Sequence, residues 1–305
     1  MKKLFVIFFI LATAFVSACG NGAAVDGSSD AGGKAETIIY ESENGPIEVP
    51  ANPQRVVLLS GYTGNVIHLG VNVVGVDVWS KMNPTFAEEL KDVEEVSDEN
   101  LEKIVELEPD LIIGLSNIKN IDKLSQIAPT VTYTWGKVDY LTQHLEIGKL
   151  LNKEKEAKAW VEDFKKRAEA VGEEIRAKIG ENATVSVFEI YDKQLYVFGD
   201  NWARGTELLY QAMKLKMPEK VKEMALGPGY YAISAEVFPE YAGDYIVLSK
   251  HANADSSFQQ TETYKNLPAV KNNRVFELDG NGASFSDPVT LEKQLQFFKE
   301  SFLGK

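Results

Sequence analysis

Between Asn152 and Gly180 the chain reads NKEKEAKAWVEDFKKRAEAVGEEIRAKIG, and its apolar positions recur at spacings of three and four: Ala157, Trp160, Val161, Phe164, Ala168, Val171, Ile175 and Ile179. Almost every other position is Lys, Glu, Arg or Asp, so the pattern predicts one long helix with a buried face and a wet face. The ends agree. Asn152 is placed to accept a bond from a free first-turn amide, Glu154 and Glu156 suit the positive end of the helix, and Lys178 with Gly180 suits the other. At about 1.5 Å per residue such a helix is roughly 40 Å long, enough to run along two lobes and join them. A coiled-coil arm fits less well, because the stripe lasts under four heptads and both flanks look globular.

On the N-terminal side, short aliphatic runs alternate with helical patterns. A hairpin turning at Asn44-Gly45 leads into strands at Val56–Leu59, Val71–Val76, Leu111–Leu115 and Thr130–Tyr133, with helices around Val66, Leu101–Leu107 and Leu141–Leu151. This is the βαβ signature of a parallel sheet. Beyond the long helix the alternation resumes: strands at Thr184–Ile190, Leu195–Phe198, Tyr231–Ile233, Tyr245–Leu248 and Arg274–Leu278, helices at Gly205–Met213 and Pro288–Phe302. The expectation is α/β: an N-terminal lobe over 37–151, a connecting helix over 152–180 and a C-terminal lobe over 181–305, each lobe large enough for its own core.

Ahead of the lobes, Lys2 and Lys3 precede an apolar run from Leu4 to Phe15, and Val16-Ser17-Ala18-Cys19 has the form of a lipobox. Residues 1–18 read as a lipoprotein signal peptide, Cys19 as the lipidated residue and 19–36, rich in Gly, Ser, Ala and Asp, as a flexible tether. Cys19 is the only cysteine of 305 residues, which excludes an internal disulfide. Without the signal, 30 basic and 45 acidic side chains remain, a formal charge of −15 that argues against nucleic acid as a partner.

The halves also carry a weak internal echo. Asn100-Leu101-Glu102 precedes Asp110-Leu111-Ile112-Ile113, and Ser234-Ala235-Glu236 precedes Asp244-Tyr245-Ile246-Val247, so each glutamate sits two places after a capping residue and eight before an aspartate. A carboxylate in a first helical turn is stabilised by the helix dipole in any case.

The lipobox, the V-P-x-x-P-x-R-V-V entry at Val49–Val57, the N-L-E…P-D-L-I-I segment at Asn100–Ile113 and the central helix resemble the periplasmic-binding-protein family with a rigid helical backbone. The segment LYVFGDNWARGTELLY, Leu195–Tyr210, is similar to the ferric hydroxamate-binding lipoproteins of Gram-positive bacteria. The resemblance implies two Rossmann-like lobes and a monomer held on the outer face of the cytoplasmic membrane through Cys19. It implies capture of a ferric hydroxamate siderophore for an ABC permease and its ATPase. The wider class also delivers catecholate or citrate chelates of iron, haem and cobalamin, and a surface adhesin or structural lipoprotein is the reading from another class.

Carried over residue by residue, the resemblance puts Tyr196, Trp202 and Arg204 on the C-lobe side of the cleft and Trp135 opposite them. Phe285 falls where close relatives carry a tyrosine, which keeps the ring and removes a hydroxyl; Tyr62 and Tyr231 are weaker candidates. Glu102 and Glu236 match the carboxylates that dock the permease. By their positions alone, Trp135, Trp202 and Phe285 lie just past strands, where ligands dock in open α/β sheets. Arg204, one of five arginines against 27 lysines, has a salt bridge to Glu207 or Asp200 as its structural alternative. No cofactor is expected, because a siderophore supplies all the oxygens to its iron. His68, His144 and His251 show no paired metal-ligand spacing and read as surface or capping residues. No G-x-S-x-G, G-x-x-x-x-G-K-[ST] or H-E-x-x-H occurs, so nothing points to an enzyme.

Overall fold

The computed structural model describes residues 36–304; the signal peptide, Cys19 and the tether up to residue 35 lie outside them. Strands β1 (Thr37–Ser42) and β2 (Gly45–Pro50) form the expected antiparallel hairpin, with Gly45 in the left-handed region (φ 104°). The N-terminal sheet consists of β3 (Val56–Leu59), β4 (Val73–Val76), β5 (Glu94–Glu95), β6 (Leu111–Leu115) and β7 (Thr130–Tyr133), all parallel, in the order β5-β4-β3-β6-β7. Every residue of β3 and β7 is buried, which explains why they read as unbroken apolar or β-branched runs.

The second sheet holds β8 (Val185–Tyr191), β9 (Gln194–Phe198), β10 (Tyr230–Ile233), β11 (Tyr245–Lys250) and β12 (Val275–Asp279), ordered β10-β9-β8-β11-β12. Here the second half departs from the first. β8, β11 and β12 run parallel, but β8, β9 and β10 form an antiparallel meander. The cause is local: only Asp192 and Lys193 separate β8 from β9, with Asp192 left-handed (φ 55°), a link far too short for a crossover helix.

The long helix spans Glu154–Ile179, 26 residues, and buries Ala157, Val161, Phe164, Ala168, Val171 and Ile175 as the periodicity requires. Asn152 does not cap it. It is itself left-handed (φ 55°), and the cap position falls on Lys153, which makes no side-chain cap bond. Asn152 instead turns the chain between the preceding helix, Tyr140–Leu150, and the long one. The two helices touch where Gly148 meets Ala157: a Cβ on Gly148 would lie 2.6 Å from that of Ala157.

Three contacts lock the long helix to both lobes and to the C-terminal helix, Pro288–Leu303. Trp160 packs edge-on against His68 and His144, with centroids 5.3 and 5.2 Å away, and donates from Nε1 to Glu292 at 2.8 Å. Arg167 forks onto the same carboxylate at 2.7 and 2.5 Å. Phe164, Val171 and Ile175 enter the core beneath β8 and β9 with Val185, Val187 and Phe198. Within the stretch read as the C-terminal lobe, Phe285 packs into the core of the first sheet, 5.6 Å from Phe86. Asp287 caps the C-terminal helix and presses on Gly64, where any side chain would collide with the carboxylate.

The histidines are not surface residues. His144 is fully buried and bonds through Nδ1 to Asn65 Oδ1 at 3.0 Å, His68 is half-buried beside it, and His251 lines the cleft described below. Burial, reinforced by His68, pushes the His144 imidazole down to about 3, so it is neutral in the folded protein. The unfolded chain takes up that proton below its ordinary value. Stability is therefore expected to fall as the pH drops from about 6.5 toward 3, by at most about 1.4 kcal/mol per pH unit from this residue. Urea melts of His144→Gln should show a shallower acid decline than the parent chain between pH 6 and 4; parallel declines would refute the assignment.

Candidate functional site

The C-terminal ends of parallel strands from both sheets open onto one cleft of about 530 Å³. Ser60 follows β3, Asp77 follows β4, Leu115 ends β6 and Trp135 follows β7; from the other sheet come Glu189 and Tyr191 of β8, His251 after β11 and the Ser284-Phe285 turn after β12. This is where an open α/β sheet leaves its loops free to hold a ligand. Asp77 sets one wall. Its carboxylate accepts from the Ser60 amide at 3.0 Å and from the Trp79 amide at 2.9 Å, fixing both the left-handed Ser60 (φ 96°) and the exposed Trp79 ring.

Aromatic rings line the cleft and reach across it. Trp135 and Trp202 meet edge-to-face at 6.1 Å, and Trp79 and Tyr191 lie 6.4 Å apart. Tyr230 packs on Trp202 at 5.2 Å and on Tyr196 at 5.8 Å. Tyr196, Trp202, Trp135, Phe285 and Arg204 are thus brought together. Tyr231 is not. It lies on the opposite face of β10, stacked on Tyr241 at 6.3 Å, while its neighbour Tyr230, paired with Phe198, turns toward the cleft. Tyr62 sits at the start of the helix Thr63–His68, buried edge-on against Tyr133 at 5.3 Å, and lines an adjoining cavity.

Arg204 has its counter-ion in a place the sequence did not suggest. Neither Glu207 nor Asp200 pairs with it. Nε and Nη2 both donate to Glu189 at 2.8 Å, Nη1 donates to the Trp202 carbonyl at 3.1 Å, and the guanidinium lies 5.0 Å above the Phe198 ring. Two of the five guanidinium N–H groups are left over for a ligand. Glu189, only 3% exposed, also accepts from Ser249 Oγ at 2.8 Å. His251 Nε2 stands 3.4 Å from the same carboxylate, an ion-pair contact rather than a well-directed hydrogen bond, and its Nδ1 meets Asn281 Oδ1 at 2.9 Å. Burial alone would push the Glu189 carboxyl up; His251, the Arg204 charge and Ser249 outweigh it and hold it at about 2. The same carboxylate raises the His251 imidazole above its ordinary value, against a smaller opposing effect of burial.

The loop that carries Arg204 is bent to do so. Ala203 (φ 57°), Arg204 (φ 56°) and Gly205 (φ 81°) are consecutively left-handed, a conformation that costs a non-glycine residue about 1–2 kcal/mol. Hydrogen bonds hold it there: Trp202 N to Thr206 Oγ1 at 3.1 Å, Ala203 N to Glu207 Oε1 at 3.0 Å and Arg204 N to the Ala283 carbonyl at 2.7 Å. The helix expected over Gly205–Met213 forms at Glu207–Ala212, wound with i→i−5 bonds as a π-helix, a local irregularity frequent at functional sites.

Lys119 and Lys137 do not line the cleft. Lys119 pairs with Glu99 and Lys137 with Glu43 at 3.2 Å. The cleft's basic side chains are Arg204 and His251, set against Glu189 and Asp77. Among the described residues no group of three or more His, Cys, Asp or Glu could hold a metal ion. Glu102 and Glu236 are both exposed. Glu102 lies in the first turn of a helix capped by Asn100, whereas Glu236 sits in a turn before the helix Phe238–Tyr241, its carboxylate bonded by Ser234. Because Arg204 and Glu189 are both largely buried, Glu189→Ala strands a cation and is expected to cost about 3–5 kcal/mol in urea unfolding. A loss below about 1 kcal/mol, the size of an exposed pair, would show that the network is not as closed as described.

A family profile described as "Periplasmic binding protein" matches residues 56–281. The iron(3+)-hydroxamate-binding protein FhuD of Bacillus subtilis is 37% identical, the match covering 98% of each chain. The iron(3+)-hydroxamate-binding protein YxeB of the same organism is 36% identical over 100% of this chain and 98% of its own. Among solved structures, FhuD2 of Staphylococcus aureus with bound ferrioxamine B superposes with a TM-score of 0.79 at 35% identity, covering 83% of this chain and 99% of that one. With its two α/β lobes, long linking helix and open cleft at the strand ends, this chain belongs to the periplasmic binding protein family.

Proposed function

We propose that the chain captures a ferric hydroxamate siderophore outside the cytoplasmic membrane and delivers it to an ABC permease. The observation that carries this reading is the cleft's charge: one guanidinium neutralised by a buried carboxylate, one histidine, the Asp77 carboxylate held by backbone amides, and otherwise mostly rings. A ferric tris-hydroxamate is neutral or carries a small positive charge from a pendant amine, and its iron is already enclosed by the chelate's oxygens. Rings supply stacking area for its carbon skeleton, and the free N–H groups of Arg204 donate to its negatively polarised oxygens. A ferric tris-catecholate brings three negative charges, each costing several kcal/mol to desolvate unless met by a cation, and this cleft holds no such surplus. The names of the relatives, two of them hydroxamate-binding proteins, support the same choice. The protein acts as a binding component and catalyses nothing. Its long helix, fixed at both lobes, supports small lobe adjustments on binding rather than wide closure.

Ferrioxamine-type or ferrichrome-type chelates should bind at least about a hundredfold tighter than enterobactin-type ones in calorimetric titration, a gap of about 2.7 kcal/mol. Arg204→Lys, which keeps the charge beside Glu189 but loses the fork, should weaken the hydroxamate by about 1–3 kcal/mol. Trp202→Ala should weaken it by a comparable amount through lost stacking. Equal or tighter binding of the catecholate would overturn the ligand class.

The anchor and the permease contacts are open to test in cells. Cys19→Ala is expected to release the protein from membranes with its ligand affinity unchanged, since the acyl chains on that residue are proposed to hold it there. Glu102→Ala and Glu236→Ala, both at exposed positions, should keep anchoring and affinity but lose uptake, because surface charges steer and register a partner. Weakened ligand binding in either glutamate variant would place that residue in the cleft or the fold instead.

A further inference from the structure

Behind Trp135 lies a second cavity of about 400 Å³, which shares Gly61 and Trp135 with the ligand cleft. Its walls differ in kind. Where the cleft is built of rings, this chamber is lined by Tyr62, Asn65, Gln143, Asn201 and Gln211 and by the carboxyl groups of Asp139, Asp200 and Glu207. Three of its polar groups lack partners although they are shut away from solvent: the hydroxyl of Tyr62, a residue only 2% exposed, Nε2 of Gln143 and Oγ of Ser286. A buried donor without an acceptor is rare in folded proteins, and three such groups lining one cavity indicate that something polar belongs there.

The charges identify its class. Asp139 is spent on capping, accepting from the Leu141 and Thr142 amides and the Thr142 hydroxyl at 3.0, 3.1 and 2.6 Å. Glu207 holds the Ala203 amide and Thr206, and burial pushes its carboxyl up, toward the neutral form. Lys137, the cation in this wall, is engaged by Glu43. That leaves the half-exposed Asp200, whose carboxylate has no hydrogen-bond or ion-pair partner among the described residues. It sits two residues before Trp202, where the chamber meets the cleft. The chamber thus offers a carboxylate, an amide donor and a phenol that can give or take a hydrogen bond.

We propose that this second cavity is a subsite for the uncoordinated arm of a linear chelate, taking an amide-bearing chain that ends in a primary ammonium beside Asp200. The proposal rests on the hydroxamate reading of the cleft. The ferric centre stays among the rings; the arm passes Trp135, gives an acceptor to Gln143 and Tyr62 and sets its charge against Asp200. A cyclic chelate, having no arm, leaves the chamber to water and gains nothing from it.

Three ferric tris-hydroxamates separate these ideas in calorimetric titrations of the full mature chain: a linear one whose free arm carries an amide and a terminal ammonium, the same chelate with that amine acetylated, and a cyclic one without a free arm. The parent protein should prefer the ammonium form over the acetylated form by about tenfold. Asp200→Asn should erase that preference while leaving the cyclic chelate unchanged. Gln143→Leu should weaken both linear chelates and not the cyclic one. It should also leave the thermal midpoint of the ligand-free protein unchanged or raised, since it removes a buried donor that has no partner there. Equal affinity for all three chelates, or equal losses across them in either variant, would overturn the subsite while leaving the cleft's function standing. Failure of all three to bind would overturn both.

Discussion

The cleft depends on one buried carboxylate. Glu189, at the end of β8, collects Arg204 through two hydrogen bonds, Ser249 through a third and His251 through an ion-pair contact, and by doing so converts a strained loop into a fixed platform. Taken alone, Ala203 and Arg204 have no reason to adopt left-handed backbone angles. The counter-ion on one side and the Ala283 carbonyl on the other over-determine the geometry, and the guanidinium then lies over the Phe198 ring with two N–H groups to spare. A bare arginine in a ring-lined cleft would attract any anion. One already neutralised by a buried carboxylate can select by hydrogen-bond direction instead of charge, which suits a ligand of nearly zero charge.

The second constraint is the frame. The long helix is held where Trp160 and Arg167 share the Glu292 carboxylate of the C-terminal helix, while the Trp160 ring packs on His68 and His144 of the N lobe. The C-terminal segment adds a further tie by placing Phe285 in the core of the first sheet and Asp287 against Gly64. Lobes pinned at these places hold Trp135 and Trp202 within ring contact of each other. A site assembled in advance spends less of its binding energy on ordering itself.

Much of this was legible in the sequence because burial writes a period into it. The stripe from Ala157 to Ile179 and the aliphatic runs of β3, β6, β7 and β11 translate directly into elements. Asn152 misled because a residue favoured as a helix cap is equally favoured in a left-handed turn, and nothing local distinguishes the two. Tyr231, a weaker candidate, lies one residue from Tyr230, which in a strand means the opposite face. The alternation of Tyr196 and Phe198, together with the pairing of Tyr230 to Phe198, holds the information, but β9 and β10 are joined by a long connection containing the helices Glu207–Ala212 and Glu219–Ala225, so no short turn in the sequence sets their register. Glu189 and His251 were not legible for a deeper reason. They are 62 residues apart and meet only because β8 and β11 pair, so no spacing in the chain records their contact. Lone histidines with no metal-ligand spacing read as surface residues, although two of them pack in the interior here and the third faces the cleft.

As proposed, the protein recognises the organic shell of a chelate, and the chelate alone holds the metal. Tryptophan fluorescence tests this directly, because Trp135 and Trp202 face the cleft. The account predicts saturable one-to-one quenching by the iron(III) and gallium(III) forms of one hydroxamate with closely matching affinities, and none by iron(III) held in a weak, non-hydroxamate buffer. Saturable binding of iron(III) without the hydroxamate, or affinities that follow the metal and not the chelator, would contradict it.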